Sequence, residues 1–407
     1  MGGRGGGRVG VVVAGVPAPL FGRHSAGKHE AMHPAAPRRA LVFAPMQCRS
    51  FEADDPDGAN AFVDVALAAR ATDPRWIASP RASTLKQLGA GHPLWKQVQR
   101  RFFVIDGRAR CAALINPRLL DGDRPWGQAG FFEAVDDDAG RVVLDAAMAW
   151  LGERGCKRAL GPMNGSTWHS YRFVVDWKDA TPLLLEPNNP LRYPALWESH
   201  GWKRHDVAYY SSAHDNAAVV DALQKKHEAV VSAGYRMEAV DLKDVQAVLK
   251  TMFELSRRIF SGNAFYSDLS FEEFAANNEG VERVLDQRLV QWLRGPADDV
   301  VGFAFGLPDH AVAATRMRGD TGLLGKLRFV TAPRPKRNLV KTIGVVPEHR
   351  GKGLLSEIYF TQARAALDMG FSDGVVVLMS ADNRSFTGTA RAQSVIREYA
   401  LYVSEVA

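Results

Sequence analysis

From Thr342 to Ser356 the sequence reads Thr-Ile-Gly-Val-Val-Pro-Glu-His-Arg-Gly-Lys-Gly-Leu-Leu-Ser. An apolar strand pattern passes through a glycine-rich turn directly into an amphipathic helix, whose Leu355, Ile358, Tyr359, Gln362, Ala366 and Met369 share one side. Such a junction aims backbone N–H groups that no helical carbonyl can reach at one point, with the positive end of the helix dipole behind them. It is an anion site. Two phosphate loops are ruled out by residue type. Lys352 is followed by Gly353, where a Walker loop needs Ser or Thr. The G-x-G-x-x-G spacing meets Ser356 at its third glycine, and no acid-terminated strand follows at the required distance.

Two other places carry side chains capable of chemistry. The stretch Gly161–Arg172 sets Trp168, His169, Tyr171 and Arg172 close together after a strand, as in a substrate pocket between two units or, equally, as packed aromatics with a structural cation. Glu133, at the end of an apolar strand, is a candidate general base, against the plainer reading of a paired carboxylate. The basic run Arg328, Arg334, Lys336, Arg337 reads as a solvated hairpin, with contact to a ribose phosphate as the alternative.

The elements that must position these groups follow from periodicity and turn residues. Helices are predicted over 60–69 and 83–98, a hairpin over 102–115 turning at Asp106-Gly107, a strand over 127–135, a helix over 141–154 and a strand over 158–163. A short helix over 193–200 and a strand over 206–211 complete the first half, and residues 217–232 form a connecting helix. The order then repeats: strand 235–240, helices 242–259 and 271–278, strands 290–292, 300–307 and 339–346, helix 354–369, strand 375–379 and a last strand over 395–403. The expectation is an α/β chain with mixed, α+β-like sheets, built as two tandem units. The boundaries are a tail over 1–45, a first unit over 46–214, the connecting helix over 215–232 and a second unit over 233–407.

Length and composition fit this. A chain of 407 residues exceeds the size of one growing core, and no apolar run approaches a membrane span. Of the net charge of +6, residues 1–45 hold +5, through Arg4, Arg8, Arg23, Lys28, Arg38 and Arg39 against Glu30. The rest is close to neutral, so no nucleic-acid partner is expected, and without a long apolar run no membrane partner is expected either. The glycine-rich tail reads as disordered, or as an extended frame whose start is Met32 or Met46. Cys48, Cys111 and Cys156 are widely spaced and odd in number, which points to a cytoplasmic, metal-free protein.

The segment 342–356 resembles the signature R/Q-x-x-G-x-G/A of the GNAT superfamily of acyl-CoA-dependent N-acyltransferases, through Arg350, Gly353 and Leu355. Leu355 departs from the usual Gly or Ala, which main-chain binding tolerates if its side chain enters the core. The resemblance implies acetyl-CoA as co-substrate, without a metal. Its pantetheine arm would lie on the edge of Ile343, Val345 and Val346, its pyrophosphate on the amides of Arg350, Gly351, Lys352, Gly353, Leu354 and Leu355, with Asn383 beside the pantetheine. Leu196-Trp197-Glu198-Ser199-His200-Gly201-Trp202 is similar to the L-Y-E-x-x-G-F that closes a GNAT unit, but Asp136-Asp137-Asp138 stands where the first unit would need its loop. That unit therefore resembles the degenerate member of a tandem pair. The activity implied is transfer of an acyl group, acetyl above all, to a primary amine of a small molecule. The family's thiolate-donor tyrosine has no counterpart in 384–393, which keeps open a catalytically silent acyl-CoA-binding or interaction module. An aminoacyl-tRNA-using enzyme of the same fold is disfavoured by the near-neutral charge.

Overall fold

The computed structural model describes residues 46–179, 181–380 and 393–406, and the elements below lie in the compact unit over 45–407. In the first half β1 (Arg49–Phe51) is followed by α1 (Pro56–Arg70), α2 (Arg81–Leu88), β2 (Gln99–Ile105), β3 (Ala109–Asp121), β4 (Arg124–Ala134), α3 (Asp137–Glu153) and β5 (Arg158–Gly161). Then come β6 (Phe173–Trp177), α4 (Arg192–Ser199), β7 (Lys203–Arg204), β8 (Tyr209–Asp215) and α5 (Asn216–Ser232). The second half brings β9 (Arg236–Ala239), α6 (Val245–Phe260), α7 (Phe271–Asn277), β10 (Val290–Arg294), β11 (Val300–Pro308), α8 (Ala311–Met317) and α9 (Leu323–Val330). It ends with β12 (Arg337–Val345), α10 (Leu354–Asp368), β13 (Asp373–Ser380), β14 (Gln393–Ala400) and β15 (Tyr402–Glu405). The run two helices, three strands, helix, strand thus occurs twice, as periodicity predicted, but each run follows a strand, of which only β9 was expected, and in the second half the unpredicted α8 and α9 stand between β11 and β12.

Two mixed sheets result. One has the order β1-β2-β3-β4-β5-β15-β7, the other β6-β14-β8-β13-β12-β11-β10-β9. Each contains one parallel pair, β4 with β5 and β12 with β13, and is otherwise antiparallel. Sheet membership crosses the linear halves. β6 and β8 join the second sheet, while β15, the last strand of the chain, enters the first between β5 and β7. One buried residue, Leu401, carries the chain from β14 to β15. Here the predicted single strand over 395–403 is corrected: a β-rich run without Gly or Pro says nothing about which sheet each part joins. The predicted helix over 83–98 is also corrected. It ends at Leu88, and a separate 3-10 turn covers Pro93–Lys96, because Gly89, Gly91 and Pro93 break the ladder.

The largest apolar cluster packs α6 and α7 against one face of the second sheet, including Leu249, Phe253, Phe303 and Leu339. Val219, Leu223, Tyr359 and Ala363 of α5 and α10 cover Val340 and Val376 on another. In the first sheet Val143, Leu144, Ala147 and Leu151 of α3 pack with Trp197 and Tyr402. No helix among the described residues is long and apolar enough to cross a membrane.

Candidate functional site

β12 runs beside β13 only from Arg337 to Val340, opposite Asp373–Val376. Beyond that the two strands part, β12 staying with β11 through Val345 and β13 with β8 through Ser380. The parting starts at a bulge. Phe305 and Gly306 face Thr342 and Val340, so Lys341 is an extra residue in β12. The Val346 amide donates to the Val301 carbonyl at 2.9 Å. Since strand residues alternate, Thr342, Gly344 and Val346 direct their main-chain groups to β11, whereas Ile343 and Val345 direct theirs into the opening. Of the three residues expected to line that edge, Ile343 and Val345 are placed to do so and Val346 faces the other way.

The turn after β12 begins with a 3-10 segment, Pro347–His349. Gly351 and Gly353 then adopt φ of 80° and 76°, conformations that a β-carbon strains. Helix α10 starts at Leu354 with no side-chain cap. The amides of Gly351, Lys352, Gly353, Leu354 and Leu355 have no acceptor among the described residues. Five donors without a protein acceptor thus stand at the positive end of a helix, the chemistry that suits an anion. The Arg350 side chain does not share in this. Its guanidinium donates to the Val345 carbonyl at 3.2 Å and to the Ile259 carbonyl at 2.7 Å, pinning the turn to the end of β12 and to α6. Lys352 donates to the Tyr235 hydroxyl at 3.0 Å, and that hydroxyl lies 3.0 Å from His349 Nδ1, which fixes an ammonium beside the turn. Leu355 packs against the largest apolar cluster, so the departure at this position is absorbed by the core.

The corresponding place in the first sheet is filled. β4 and β5 pair in parallel at Gly127 and Gln128, and there too β4 bulges, at Phe131, whose φ is 51°. The gap is then closed by the chain itself: the Met163 amide donates to the Ala129 carbonyl at 3.0 Å, and Asn164 Oδ1 accepts from Phe131 N at 2.7 Å. A β-carbon on Gly130 would stand 2.3 Å from the Met163 oxygen. At the start of α3 the Asp136 carboxylate accepts from the Ala139 amide at 2.9 Å and from Arg108 at 2.8 Å. Burial pushes this carboxyl up, but those bonds and the Arg108 charge outweigh it and hold it below the usual range.

No protein-family model matches the chain, and no curated protein matches it. Solved structures do. A tandem GNAT protein from the clavulanic acid biosynthesis pathway superposes with a TM-score of 0.50 at 14% identity, over 89% of this chain and 98% of that one. The chain has the tandem GNAT fold. A GCN5-related N-acetyltransferase from Anabaena variabilis gives a TM-score of 0.50 at 11% identity, covering 89% of this chain and 73% of that one. A GCN5-related glucosamine N-acetyltransferase region of a fungal multi-domain β-N-acetylglucosaminidase gives 0.52 at 13% identity, with 89% of this chain on 38% of that one.

In the first half of the chain, Glu133 is held. Tyr193 donates to its Oε2 at 2.7 Å, and Arg70 stands 3.5 Å from its Oε1. The plainer sequence reading, a paired carboxylate, describes what is there. The loop carrying Trp168, His169, Tyr171 and Arg172 does reach the second half of the chain. Trp168 Nε1 donates to the Ser267 carbonyl at 2.8 Å, and its ring packs edge-on against Tyr266 and Phe274. His169 is buried, with Nδ1 2.8 Å from Ser166 Oγ, and burial pushes its pKa down to about 4. Arg172 lies over the rings of Tyr171 and Tyr209, with its guanidinium nitrogens buried and without hydrogen-bond partners; burial lowers its pKa to about 9. Asn383 lies outside the described residues.

Within the basic run, the reading is corrected at Arg337, which is neither solvated nor beside the turn. Arg337 is tied to Asp309 at 2.8 Å and to Asp179 at 3.3 Å. It opens β12, about 26 Å of strand away from the turn that follows Val345, so Arg337 does not reach that turn. Among the described residues no group of three or more His, Cys, Asp or Glu is placed to hold a metal ion. Sequence reasoning missed the Arg350 anchor and the Tyr235–Lys352 contact. Neither has a local signal, because both depend on the return of β9 and α6 to the turn.

Proposed function

We propose that the protein is an acyl-CoA-dependent N-acyltransferase whose second GNAT unit binds the co-substrate. The observation that carries this reading is the set of free amides over Gly351–Leu355 next to the parted strands β12 and β13. The amides take the pyrophosphate. The Ile343 amide and carbonyl and the Val345 amide serve as a strand edge for the pantetheine, and Lys352 adds a cation near the phosphates. A primary amine of a small molecule attacks the thioester carbonyl. The C–N bond forms, the C–S bond breaks, and the amine's proton ends on the CoA sulfur. No covalent enzyme intermediate is required. Acetyl is the acyl group favoured by the reading as an N-acetyltransferase.

The first unit is read as degenerate, since its gap holds Met163 and Asn164 and its helix start holds Asp136. A second reading, an acyl-CoA-binding module without turnover, is favoured by the pairing of Glu133 with Tyr193 and Arg70. Release of free CoA thiol from acetyl-CoA, followed with a panel of primary amines, separates the two. Amine-dependent release supports the enzyme, and binding without release with any amine supports the module.

A further inference from the structure

The helical hairpin inserted between β11 and β12 leaves an apolar face uncovered. On α9, Leu323 is 87% exposed, Val330 74%, Leu327 55% and Leu324 54%, and their spacing places them on one side of the helix. Surface leucines scattered singly need no explanation, but four in one stripe do. The same insertion carries Arg316, Arg318, Lys326, Arg328, Arg334 and Lys336 against two acids, Asp320 and Asp309, the second of which is taken by Arg337. None of these six cations has an ion pair or side-chain hydrogen bond among the described residues. Arg316, Arg318 and Arg328 line a cavity of about 850 Å³ shared with Leu67, Thr72 and Trp76. The acid in that cavity, Asp73, is already taken by Arg70 and Arg75.

We propose that the α8–α9 hairpin docks on an anionic lipid surface, with Leu323, Leu324, Leu327 and Val330 entering the acyl boundary and the six cations meeting headgroup phosphates. On the helical wheel Lys326 and Arg328 flank the apolar stripe on either side, where an interfacial helix can carry its cations. Each basic side chain at an anionic bilayer raises affinity about fivefold. Charge decides against the other occupants. A second copy would set six unpaired cations against six more, and residues 1–45 carry +5. The leucines stand on a convex helix, and a bilayer takes such a surface without a complementary groove. The composition had suggested no membrane partner because an eight-residue helix leaves no mark on a scan for spans. This inference does not depend on the acyl-CoA reading.

The test is co-sedimentation of the full chain with vesicles of phosphatidylcholine alone and of phosphatidylcholine mixed with phosphatidylglycerol. Binding is expected only to the mixed vesicles and is expected to fall at high salt. The double variant Leu323→Ser/Leu327→Ser, at exposed positions, should bind at least about tenfold more weakly with an unchanged melting curve, and Lys326→Glu/Arg328→Glu should lose binding as well. Equal binding to neutral vesicles, no binding to either, or full binding by the leucine variant, as when the cationic N-terminal residues carry it, would overturn the proposal. So would a dimer that the leucine variant converts to a monomer, which would make a second copy the occupant.

Discussion

Asp136 and Gly353 hold the same station in the two repeats. Each is the N-cap of the helix that follows the bulged strand of the parallel pair, α3 in one case and α10 in the other. Asp136 folds its carboxylate onto the Ala139 amide, whereas Gly353, with no side chain and a φ of 76°, leaves its turn's amides open. One residue type per repeat therefore decides whether the positive helix end is neutralised from within or offered to a ligand.

Arg350 is expected to act through the backbone. Because its guanidinium bonds the carbonyls of Val345 and Ile259, Arg350→Ala should lower the stability of the ligand-free protein by about 2 kcal/mol and weaken acetyl-CoA binding as the turn loosens. Arg350→Lys should recover only part of either, since one ammonium cannot reproduce the fork. Denaturant unfolding without ligand is the deciding measurement. Unchanged stability with lost binding would mean that Arg350 contacts the ligand itself.

The crossing of strands between sheets predicts that the halves do not fold alone. β15 lies between β5 and β7, with the buried Tyr402 donating to Glu198 at 2.9 Å, and β8 lies between β14 and β13. Across the seam Arg118 makes a two-pronged bond to Glu273, at 2.8 Å on each prong. Chains 46–214 and 215–407 expressed separately are expected to be insoluble or unfolded, and to recover structure on co-expression. Calorimetry of the whole chain should show one transition, and two well-separated transitions would contradict this.

Acid should destabilise the fold through buried histidines. Burial pushes both His169 and His214 down to about 4, while in the unfolded chain each titrates near 6.5. Between those values the unfolded chain binds protons that the folded chain does not, so stability is complete above pH 6.5 and falls as pH drops toward 4. Each histidine contributes up to about 3 kcal/mol to that fall. Denaturation midpoints measured across this window should drop for the wild type, and the slope should be shallower for His169→Gln.

The strand-turn-helix proposed to hold the pyrophosphate was legible because it is local. Strand, glycine turn and helix are consecutive, and the binding groups are amides that any sequence carries. What depends on distant segments was not legible. Val395–Val403 has no Gly or Pro to break it, yet Leu401 divides it between two sheets, and only the packing of the other half specifies that. β6 lay hidden in a stretch whose prolines and asparagines suggest a loop. The α8–α9 hairpin was masked by basic residues every few positions, which resemble a solvated loop when no core-facing stripe is buried. Glu133 was visible as a carboxylate at a strand end, but its partners Tyr193 and Arg70 come from α4 and α1.

The most direct test of acyl-CoA binding at the α10 turn is a calorimetric titration of acetyl-CoA into the wild type and Gly353→Asp. The substitution puts a carboxylate where Asp136 stands in the first repeat, at a strain cost of about 1 kcal/mol. Saturable one-site binding by the wild type, with at least about a tenfold loss in the variant while its ligand-free melting stays within a few degrees, is the predicted result. Failure of the wild type to bind acetyl-CoA, or equal binding by Gly353→Asp, would contradict the account.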